Sequence, residues 1–320
     1  MAAFAMGVDL GGTNARAAVV DRDTGEIVAA HKELHRERTP EAVVEVVAHA
    51  VRRSGAAAGT APGTFGHVGV GVAGQCMGRT GVVLNAPNLG WRDVPFGELL
   101  ERELGVPIRI ANDLSAAAWG ERRFGAARGV DDVALVFVGS GVGCGLILGG
   151  RLHDGHHGVA GELGHVKVRP MRPDTPVRRC GCGELGCLEA YASGMNIAAR
   201  VREELAAGAA SLVRDAVQGD LDGVNASVLD AACARGDPYA RALWEEVADL
   251  LGNAIASLVT LLNPARVILG GGVILGCPEL LRRLREVFDA RVSRSAAVGL
   301  SFERAFLGDD AGVIGAALLP

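Results

Sequence analysis

Aromatic residues and lysines are scarce in this sequence of 320 residues. Phe, Trp and Tyr together account for only 4% of it, whereas hydrophobic residues of all kinds account for 49%. A core of the size that such a chain can bury must therefore be built from Ala, Val, Leu and Ile. Lysine occurs only at Lys32 and Lys167, and the formal net charge is −5. The chain therefore offers no basic field for nucleic acid.

Long apolar runs are missing as well. No run of eighteen apolar residues occurs, so we expect no segment that spans a membrane. The first ten residues lack the basic start of a signal peptide, and Asp9 interrupts their apolar run. These features predict a soluble, cytoplasmic protein. The seven cysteines are an odd number, which argues against a complete disulfide framework.

The spacing of hydrophobic residues predicts an α/β protein. Strands are predicted over 4–9, 15–20, 26–33, 68–72, 108–111, 132–138, 144–148 and 266–269. Helices are predicted over 40–53, 95–104, 118–124 and 278–290, with a last one from about residue 310. Thr39, Ser193 and Asp237 are the predicted N-caps of three helices. The stretches DLGGTN-ARAAVV and FVGSGVG-CGLILG resemble each other, which suggests two related α/β domains facing each other across a cleft.

Three cysteines and a histidine occur together between residues 160 and 189. Cys180, Cys182 and Cys187 stand among glycines, and His165 precedes them in the motif ELGH. Thiolate and imidazole are ligands that zinc prefers, and a structural zinc site closes at four ligands. The segment is polar and rich in arginine, so it has little apolar sequence to bury three cysteines. The pattern therefore favours a Cys3His zinc site over buried or redox-active thiols, although C-x-C-x4-C is not a common finger spacing.

Three glycine-rich turns follow apolar strands and are candidate phosphate sites: Gly11-Gly12-Thr13, Gly139-Ser140-Gly141 with Gly143, and Gly270-Gly271-Gly272. Glycine permits close backbone approach, and its exposed N–H groups can cradle phosphate. A single such turn is ordinarily a tight hairpin, but three of them favour a nucleotide. The motif G-x-x-x-x-G-K-[ST] is absent, and the G-x-G-x-x-G match at 69–74 does not lead into a helix typical of a dinucleotide site.

Two aspartates follow predicted strands. Asp9 lies beside the first glycine turn, where a carboxylate can hold Mg²⁺ or cap a turn. Asp113 lies between a strand and an apolar helix, where it can act as a general base or as the N-cap of that helix. The residues alone leave both alternatives open.

Taken together, the motifs resemble those of the ROK family of sugar kinases, and most closely its zinc-containing bacterial glucokinases. The resemblance covers nearly the whole chain and rests on motifs in one order: DLGGTN at 9–14, APNLGW at 86–91, ND at 112–113, GSGVGCG at 139–145, ELGH at 162–165, CGCGELGCLE at 180–189 and GGGV at 270–273. It implies a two-domain actin-like or hexokinase-like ATPase fold with a cleft. The expected small domain covers 1–113, with the helix of about 301–320 packing back on it, and the large domain covers 114–300.

The resemblance also implies roles for individual residues. Asp113 would take the proton from the 6-hydroxyl of glucose as that hydroxyl attacks the γ-phosphate of ATP. Sugar hydroxyls would be bound by Asn88, Asn112, Asp113, Glu162, His165 and Glu189. The nucleotide and its Mg²⁺ would be bound by Asp9, Gly11, Gly12, Thr13, Ser140, Gly141, Gly143, Gly271 and Gly272. A structural Zn²⁺ would be held by His165, Cys180, Cys182 and Cys187.

Some features leave alternatives. Many family members carry Lys where this chain has Asn14, so polyphosphate remains a possible phosphoryl donor. Sugar specificity depends on few contacts, so a kinase for N-acetylglucosamine, N-acetylmannosamine, mannose or fructose is the main alternative. The family also includes sugar-responsive transcriptional regulators, which carry a DNA-binding domain ahead of the kinase-like part. A first strand at about Phe4 and the acidic charge disfavour that class. A homodimer is the family expectation.

Overall fold

The computed structural model describes residues 3–170 and 175–320. The chain divides into two compact units, the first comprising Met1–Leu135, Gly145–Gly161 and Ala305–Pro320, and the second comprising Val136–Cys144 and Glu162–Arg304. No helix of the described residues is both long enough and apolar enough to cross a membrane.

Strands and helices follow one another in runs along the described part of the chain, such as β1 to β3 near its start and five successive α-helices after β11. In the described residues the strands are β1 (Phe4–Leu10), β2 (Asn14–Asp21), β3 (Ile27–Leu34), β4 (Val68–Val72), β5 (Gln75–Met77), β6 (Val82–Ala86), β7 (Trp91–Val94), β8 (Ile108–Asn112), β9 (Val133–Val138), β10 (Val142–Leu148), β11 (Arg151–Leu152), β12 (Arg266–Gly270) and β13 (Ser301–Arg304). The α-helices are α1 (Pro40–Ala57), α2 (Phe96–Leu104), α3 (Asp113–Phe124), α4 (Glu189–Ala192), α5 (Gly194–Ala206), α6 (Leu212–Ala216), α7 (Ala226–Ala234), α8 (Pro238–Leu262), α9 (Gly272–Gly276), α10 (Pro278–Arg291) and α11 (Ala311–Ala317).

The main sheet of the first unit has the strand order β3-β2-β1-β4-β8. β1, β2 and β3 are antiparallel neighbours, whereas β4 runs parallel to β1 and β8 runs parallel to β4. Leu10 pairs with Val72, and Val72 pairs with Asn112. The three parallel strands therefore end at the same level, and the segments that follow them leave from one edge of the sheet.

A second five-stranded sheet has the order β11-β10-β9-β12-β13. β10 and β11 are antiparallel, whereas β12 and β13 are parallel. The order repeats that of the first sheet, position for position. The repeat agrees with the similarity between the two glycine-containing stretches of the sequence.

Most predicted elements are found within a few residues of their expected ends. The sequence did not predict the small antiparallel sheet β5-β6-β7, or β13, because these strands are short and lack a clear alternation of apolar residues. Ser193 and Asp237 accept backbone N–H groups as predicted for N-caps, from Asn196 at 3.3 Å and Ala240 at 2.8 Å. Thr39 occupies the predicted N-cap position with an extended backbone, but its side chain makes no capping hydrogen bond, and its hydroxyl donates to Glu37 at 3.4 Å.

Helix α11 packs against backbone atoms that it can reach only because the residues at the contact are glycines. An added Cβ at Gly69 on β4 would overlap the carbonyl of Ala316, and one at Gly120 on α3 would lie 2.5 Å from the carbonyl oxygen of Ala311. A Cβ added to Gly315, on α11 itself, would overlap the carbonyl of Ala116. The helix can approach the sheet and α3 this closely because no side chain separates the backbones. We call this contact the glycine seam.

The compact units do not follow the predicted domain boundaries, since residues 114–135 and Gly145–Gly161 both lie in the first unit. The sequence placed the start of the large domain at residue 114, whereas α3 lies in the first unit. The glycine seam gives the reason, since α3 packs directly on α11, which also lies in that unit.

The glycine seam generates a stability prediction. Gly315→Ala should lower the free energy of unfolding by about 1–3 kcal/mol, because the new methyl group has no space and neighbouring backbone must shift. Thermal unfolding followed by circular dichroism measures the effect. Gly63→Ala is the control, since a Cβ at Gly63 meets nothing within 4 Å. Equal melting temperatures for the two variants would contradict the close packing.

Candidate active site

The first group of predicted site residues lies at the edge where the parallel strands end. The turn of residues 11–13 follows β1, and its Gly11 N–H donates to the carbonyl of Asn14 at 3.0 Å. A Cβ added to Gly12 would lie 2.7 Å from the Cβ of Asn88. The predicted sugar ligand Asn88 therefore packs directly on the predicted phosphate turn.

A buried histidine also contacts this turn. His35 Nε2 lies 3.0 Å from the carbonyl oxygen of Gly11, and its backbone N–H donates to the carbonyl of Thr13 at 3.0 Å. The sequence analysis missed His35, since no local pattern links residue 35 to residues 11–13. Its role follows from the pairing of β2 with β3, which brings Leu34 opposite Asn14.

Asn112, and not Asp113, caps helix α3. Asn112 Oδ1 accepts the backbone N–H groups of Leu114 at 2.9 Å and Ser115 at 3.2 Å, and its Nδ2 donates to the carbonyl of Gly74 at 3.0 Å. Asp113 is the first residue of the helix, and its Oδ1 accepts the N–H of Leu114 at 2.9 Å. The alternative in which Asp113 is merely the helix N-cap is therefore wrong. For Asn112, the amide oxygen already accepts two bonds, so Nδ2 is the better placed atom for a further ligand.

Asp9 lies near the end of β1 with its carboxylate against Gly312, the second residue of α11. A Cβ added to Gly312 would lie 3.6 Å from the carboxyl carbon of Asp9. Burial raises the pKa of Asp9, while the charges of Arg16 and Lys32 act in the opposite direction. A nearby cation would hold such a carboxylate in its ionised form. One partly buried carboxylate beside a glycine turn fits Mg²⁺, which takes oxygen ligands and keeps several of its waters.

The side chain of Arg16 already has partners within the protein. Its guanidinium pairs with Asp310 at 2.6 Å and donates to the carbonyl of Asp309 at 3.3 Å. The arginine therefore fixes the start of α11 next to the first glycine turn.

The second group of residues lies around Cys180, Cys182 and Cys187 in the second unit. We call the segment that carries these three cysteines the cysteine-rich loop. His165, Cys180, Cys182 and Cys187 each offer a ligand atom, and these four atoms lie within 4.8 Å of one another. Cys180 Sγ is 3.9 Å from His165 Nδ1, and Cys182 Sγ is 3.8 Å from Cys187 Sγ. Three sulfurs and one imidazole nitrogen at these separations fit a tetrahedral Zn²⁺ site with every position filled by protein. Burial raises the pKa of the Cys180 thiol to about 12, so this sulfur needs a cation beside it to become a thiolate.

The histidine of this group has a defined orientation. His165 Nδ1 faces the cysteines, whereas His165 Nε2 faces Glu162 Oε2 at 3.5 Å. This orientation agrees with the expectation that one ring nitrogen binds zinc while the other points toward a ligand.

Glu189 links the cysteine-rich loop to a glycine turn. Its Oε1 lies 3.8 Å from Cys180 Sγ, and its Oε2 accepts the backbone N–H of Val142 at 3.0 Å. A Cβ added to Gly141 would lie 2.8 Å from the same Oε2. Gly141 is therefore small because a carboxylate occupies the adjacent space, a reason that the sequence did not reveal.

The turn after β9 contacts the turn after β12 and the start of helix α5. The N–H of Gly194, which opens α5, donates to the carbonyl of Gly139 at 2.8 Å. Gly271 has a φ of +92°, and a Cβ added to it would overlap the carbonyl of Val138. The turn after β9 thus contacts both the start of α5 and the turn after β12. The start of α5 was predicted only as a capped helix and not as part of this group.

The structure thus places the predicted residues in two groups. Those of the first unit are Asp9, Gly11, Gly12, Thr13, Asn88, Asn112 and Asp113. Those of the second unit are Ser140, Gly141, Gly143, Glu162, His165, Cys180, Cys182, Cys187, Glu189, Gly271 and Gly272.

Comparison with known proteins gives this arrangement a context. A ROK family glucokinase from Streptomyces griseus, in complex with glucose and AMPPNP, has a TM-score of 0.76 and 35% sequence identity, with 98% of each chain covered. The ROK hexokinase from Thermus thermophilus has a TM-score of 0.77 and 34% identity, with 98% of this chain and 97% of that chain covered. A glucokinase from Streptomyces coelicolor is 36% identical over 270 residues, which are 84% of this chain and 81% of that protein.

The chain has the mixed α/β, hexokinase-like ATPase fold of these enzymes, which confirms the predicted fold class. The model of the ROK family matches residues 5–320, and the chain belongs to that family.

The geometry of the cysteine-rich loop predicts its metal content. Protein purified without chelators should hold one tightly bound zinc ion per chain, and Cys182→Ser should lose much of it and unfold at a lower temperature, because metal binding and local folding are coupled. Elemental analysis and thermal unfolding measure the two effects. Cys233→Ala is the matched control, because this buried thiol in α7 is not one of the four ligands. Absence of zinc from the unmodified protein would refute the site.

Proposed function

We propose that this protein transfers the γ-phosphoryl group of ATP to the 6-hydroxyl of glucose. Family membership and the similarity to glucokinases over most of the chain support this activity. The S. griseus relative, which binds glucose and AMPPNP, supports ATP as the donor. The observation that carries the proposal is the position of Asp113, which begins α3 at the level where three parallel strands end while its neighbour Asn112 takes the capping role.

Asp113 is the general base in this proposal. The first turn of a helix favours negative charge, and Asn112 already satisfies the backbone donors that a capping residue would have to meet. The Asp113 carboxylate is therefore suited to accept the proton of the sugar hydroxyl as the oxygen attacks phosphorus. Phosphoryl transfer otherwise depends mainly on positioning and on neutralising charge.

The phosphates and the metal that accompanies them are assigned to the glycine turns and Asp9. Backbone N–H groups of Gly11, Gly12 and Thr13, together with the turn of Ser140, Gly141 and Gly143, would hold phosphate oxygens. Gly271 and Gly272 would lie against the adenosine. Mg²⁺, when bound with the nucleotide, would neutralise phosphate charge, and Asp9 would anchor it through oxygen.

The sugar is assigned, from the family resemblance, to polar side chains. Its hydroxyl groups would be contacted by Asn88, Asn112, Glu162, His165 and Glu189. A zinc ion on His165 Nδ1 would fix the imidazole so that Nε2 keeps one orientation. Its role would be structural, because no coordination position is left for water. A homodimer stays a prediction from the family resemblance.

The role of Asp113 can be tested by one substitution. Asp113→Asn should bind glucose within a few-fold of the unmodified protein, yet its kcat should fall by roughly 10²–10⁴-fold, because the amide cannot accept the proton. A coupled assay measures kcat, and calorimetry measures glucose binding. Asp23→Asn, in the turn that follows β2, is the control and should leave both unchanged. Nearly normal kcat in Asp113→Asn would remove the residue from the mechanism.

Substrate choice is tested by comparing sugars. With ATP and Mg²⁺, we expect kcat/KM to be highest for glucose among glucose, mannose, fructose, N-acetylglucosamine and N-acetylmannosamine. A higher kcat/KM for an N-acetylated hexose would overturn the substrate assignment while leaving the kinase activity in place. Replacing ATP by polyphosphate in the same assay tests the donor.

A further inference from the structure

A second cluster of metal-ligating side chains lies in the first unit, among residues that the proposed kinase reaction does not use. His31 and Glu33 are two positions apart on β3, so both project from the same face of the strand. Along β3, residues of this face alternate with residues of the more exposed face. Helix α1 partly covers the face of His31 and Glu33 and contributes His49. The ligand atoms of the three side chains lie within 4.8 Å of one another.

Both imidazoles converge on one carboxylate oxygen. His31 Nε2 and His49 Nδ1 each lie 2.9 Å from Glu33 Oε2. In a tetrahedral zinc site with bonds of about 2.0–2.1 Å, neighbouring ligand atoms lie roughly 3.3 Å apart. The observed separations therefore need to grow by only a few tenths of an ångström to admit an ion. The rings of His31 and His49 are nearly perpendicular, at 83°, with centroids 5.9 Å apart, so they do not stack against each other.

The cluster is accessible to an ion from solution. The side chains of His31, Glu33 and His49 are 33%, 32% and 56% exposed. The Glu33 carboxylate supplies the acidic ligand of the cluster, and both imidazoles already contact it. Water can fill the coordination positions that the protein leaves open.

We propose that His31, Glu33 and His49 form a second metal site, which takes a divalent transition-metal ion such as Zn²⁺, Co²⁺ or Ni²⁺ with water completing its shell. Two imidazoles and a carboxylate suit these ions, whereas Mg²⁺ and Ca²⁺ prefer oxygen ligands alone. With three ligands instead of four, and no thiolate, the site binds more weakly than the cysteine-rich loop.

An ion at this site would join β3 to α1 on either side of their connection, residues 35–39. That connection carries His35, whose ring contacts the carbonyl of Gly11, and Arg38, whose carbonyl accepts the indole N–H of Trp91 at 2.7 Å. The metal would therefore brace a segment that packs on the first glycine turn. Because it binds the folded form, it should raise the unfolding temperature in proportion to its occupancy.

Cobalt provides a probe that separates the two sites. The full-length protein, with zinc already in the cysteine-rich loop, is titrated with Co²⁺ while the visible and near-ultraviolet spectra are recorded. We expect one further equivalent to bind, with weak d–d absorption and without the thiolate-to-cobalt band that a cysteine ligand would produce. The unfolding temperature should rise during the titration.

Substitutions identify the ligands. His31→Gln, Glu33→Gln and His49→Gln should each weaken Co²⁺ binding by about tenfold or more, because each removes a ligand directly. His153→Gln, an exposed histidine of the same unit, is the matched control and should bind Co²⁺ normally. Unchanged circular dichroism and zinc content verify that each variant is folded.

Three outcomes would overturn the proposal. They are no second equivalent of Co²⁺, a thiolate-to-cobalt band showing that the ion has entered the cysteine-rich loop, or unchanged affinity in the folded Glu33→Gln and His31→Gln variants. None of these depends on the sugar kinase activity, so failure of the metal site and failure of the proposed function are distinguishable.

Discussion

The pairing of Leu10 with Val72 and of Val72 with Asn112 determines where three parallel strands end. Because the ends are level, the turn of residues 11–13 and the start of α3 leave the sheet at one edge. Asn112 then fixes the direction of α3 by accepting two N–H groups of its first turn. A shift of the β4–β8 register by one residue would turn every side chain of β8 to the opposite face and remove Asn112 from this position. The strand register is thus a constraint on chemistry as well as on folding.

The glycine seam packs α11 against the strands and the helix that form that edge. Gly7 and Gly69 leave the backbone of β1 and β4 open to α11, while Gly120 and Gly315 let α11 and α3 touch. α11 in turn places Gly312 against Asp9, and Asp310 just before the helix pairs with Arg16. The C-terminal helix is thus held against the sheet and α3 by backbone contacts, and it reaches the candidate site through Gly312 and the Asp310–Arg16 ion pair. Packing of this kind tolerates little change, since backbone cannot adopt another rotamer.

Local patterns in the sequence predicted what depends on local physics. The strands β1, β2 and β3, the helix starts at Ser193 and Asp237, and the grouping of Cys180 with its neighbours were all found. The choice of Asn112 over Asp113 as N-cap could not be read from the sequence, because both residues favour that position. His35 contacts Gly11, which is 24 positions away in the sequence, and Glu189 contacts Val142, which is 47 positions away. No local pattern encodes contacts over such distances.

The two metal-ligating clusters differ in charge as well as in ligand type. Three thiolates, one neutral imidazole and a bound Zn²⁺ would leave the cysteine-rich loop with a net negative charge. Lys167 would offset that charge, since its Nζ lies 3.1 Å from Cys187 Sγ, and their hydrogen bond raises the pKa of the lysine. The chain has only one other lysine, Lys32, and its remaining cationic side chains are mostly arginines. The cation beside Cys187 is therefore an exception to the general use of arginine in this chain. An ammonium group is a compact point charge, which suits a sulfur ligand better than the planar fork of a guanidinium does. The cluster of His31, Glu33 and His49 carries a single carboxylate, so a divalent ion there leaves a net positive charge that water and solvent anions can meet at the surface.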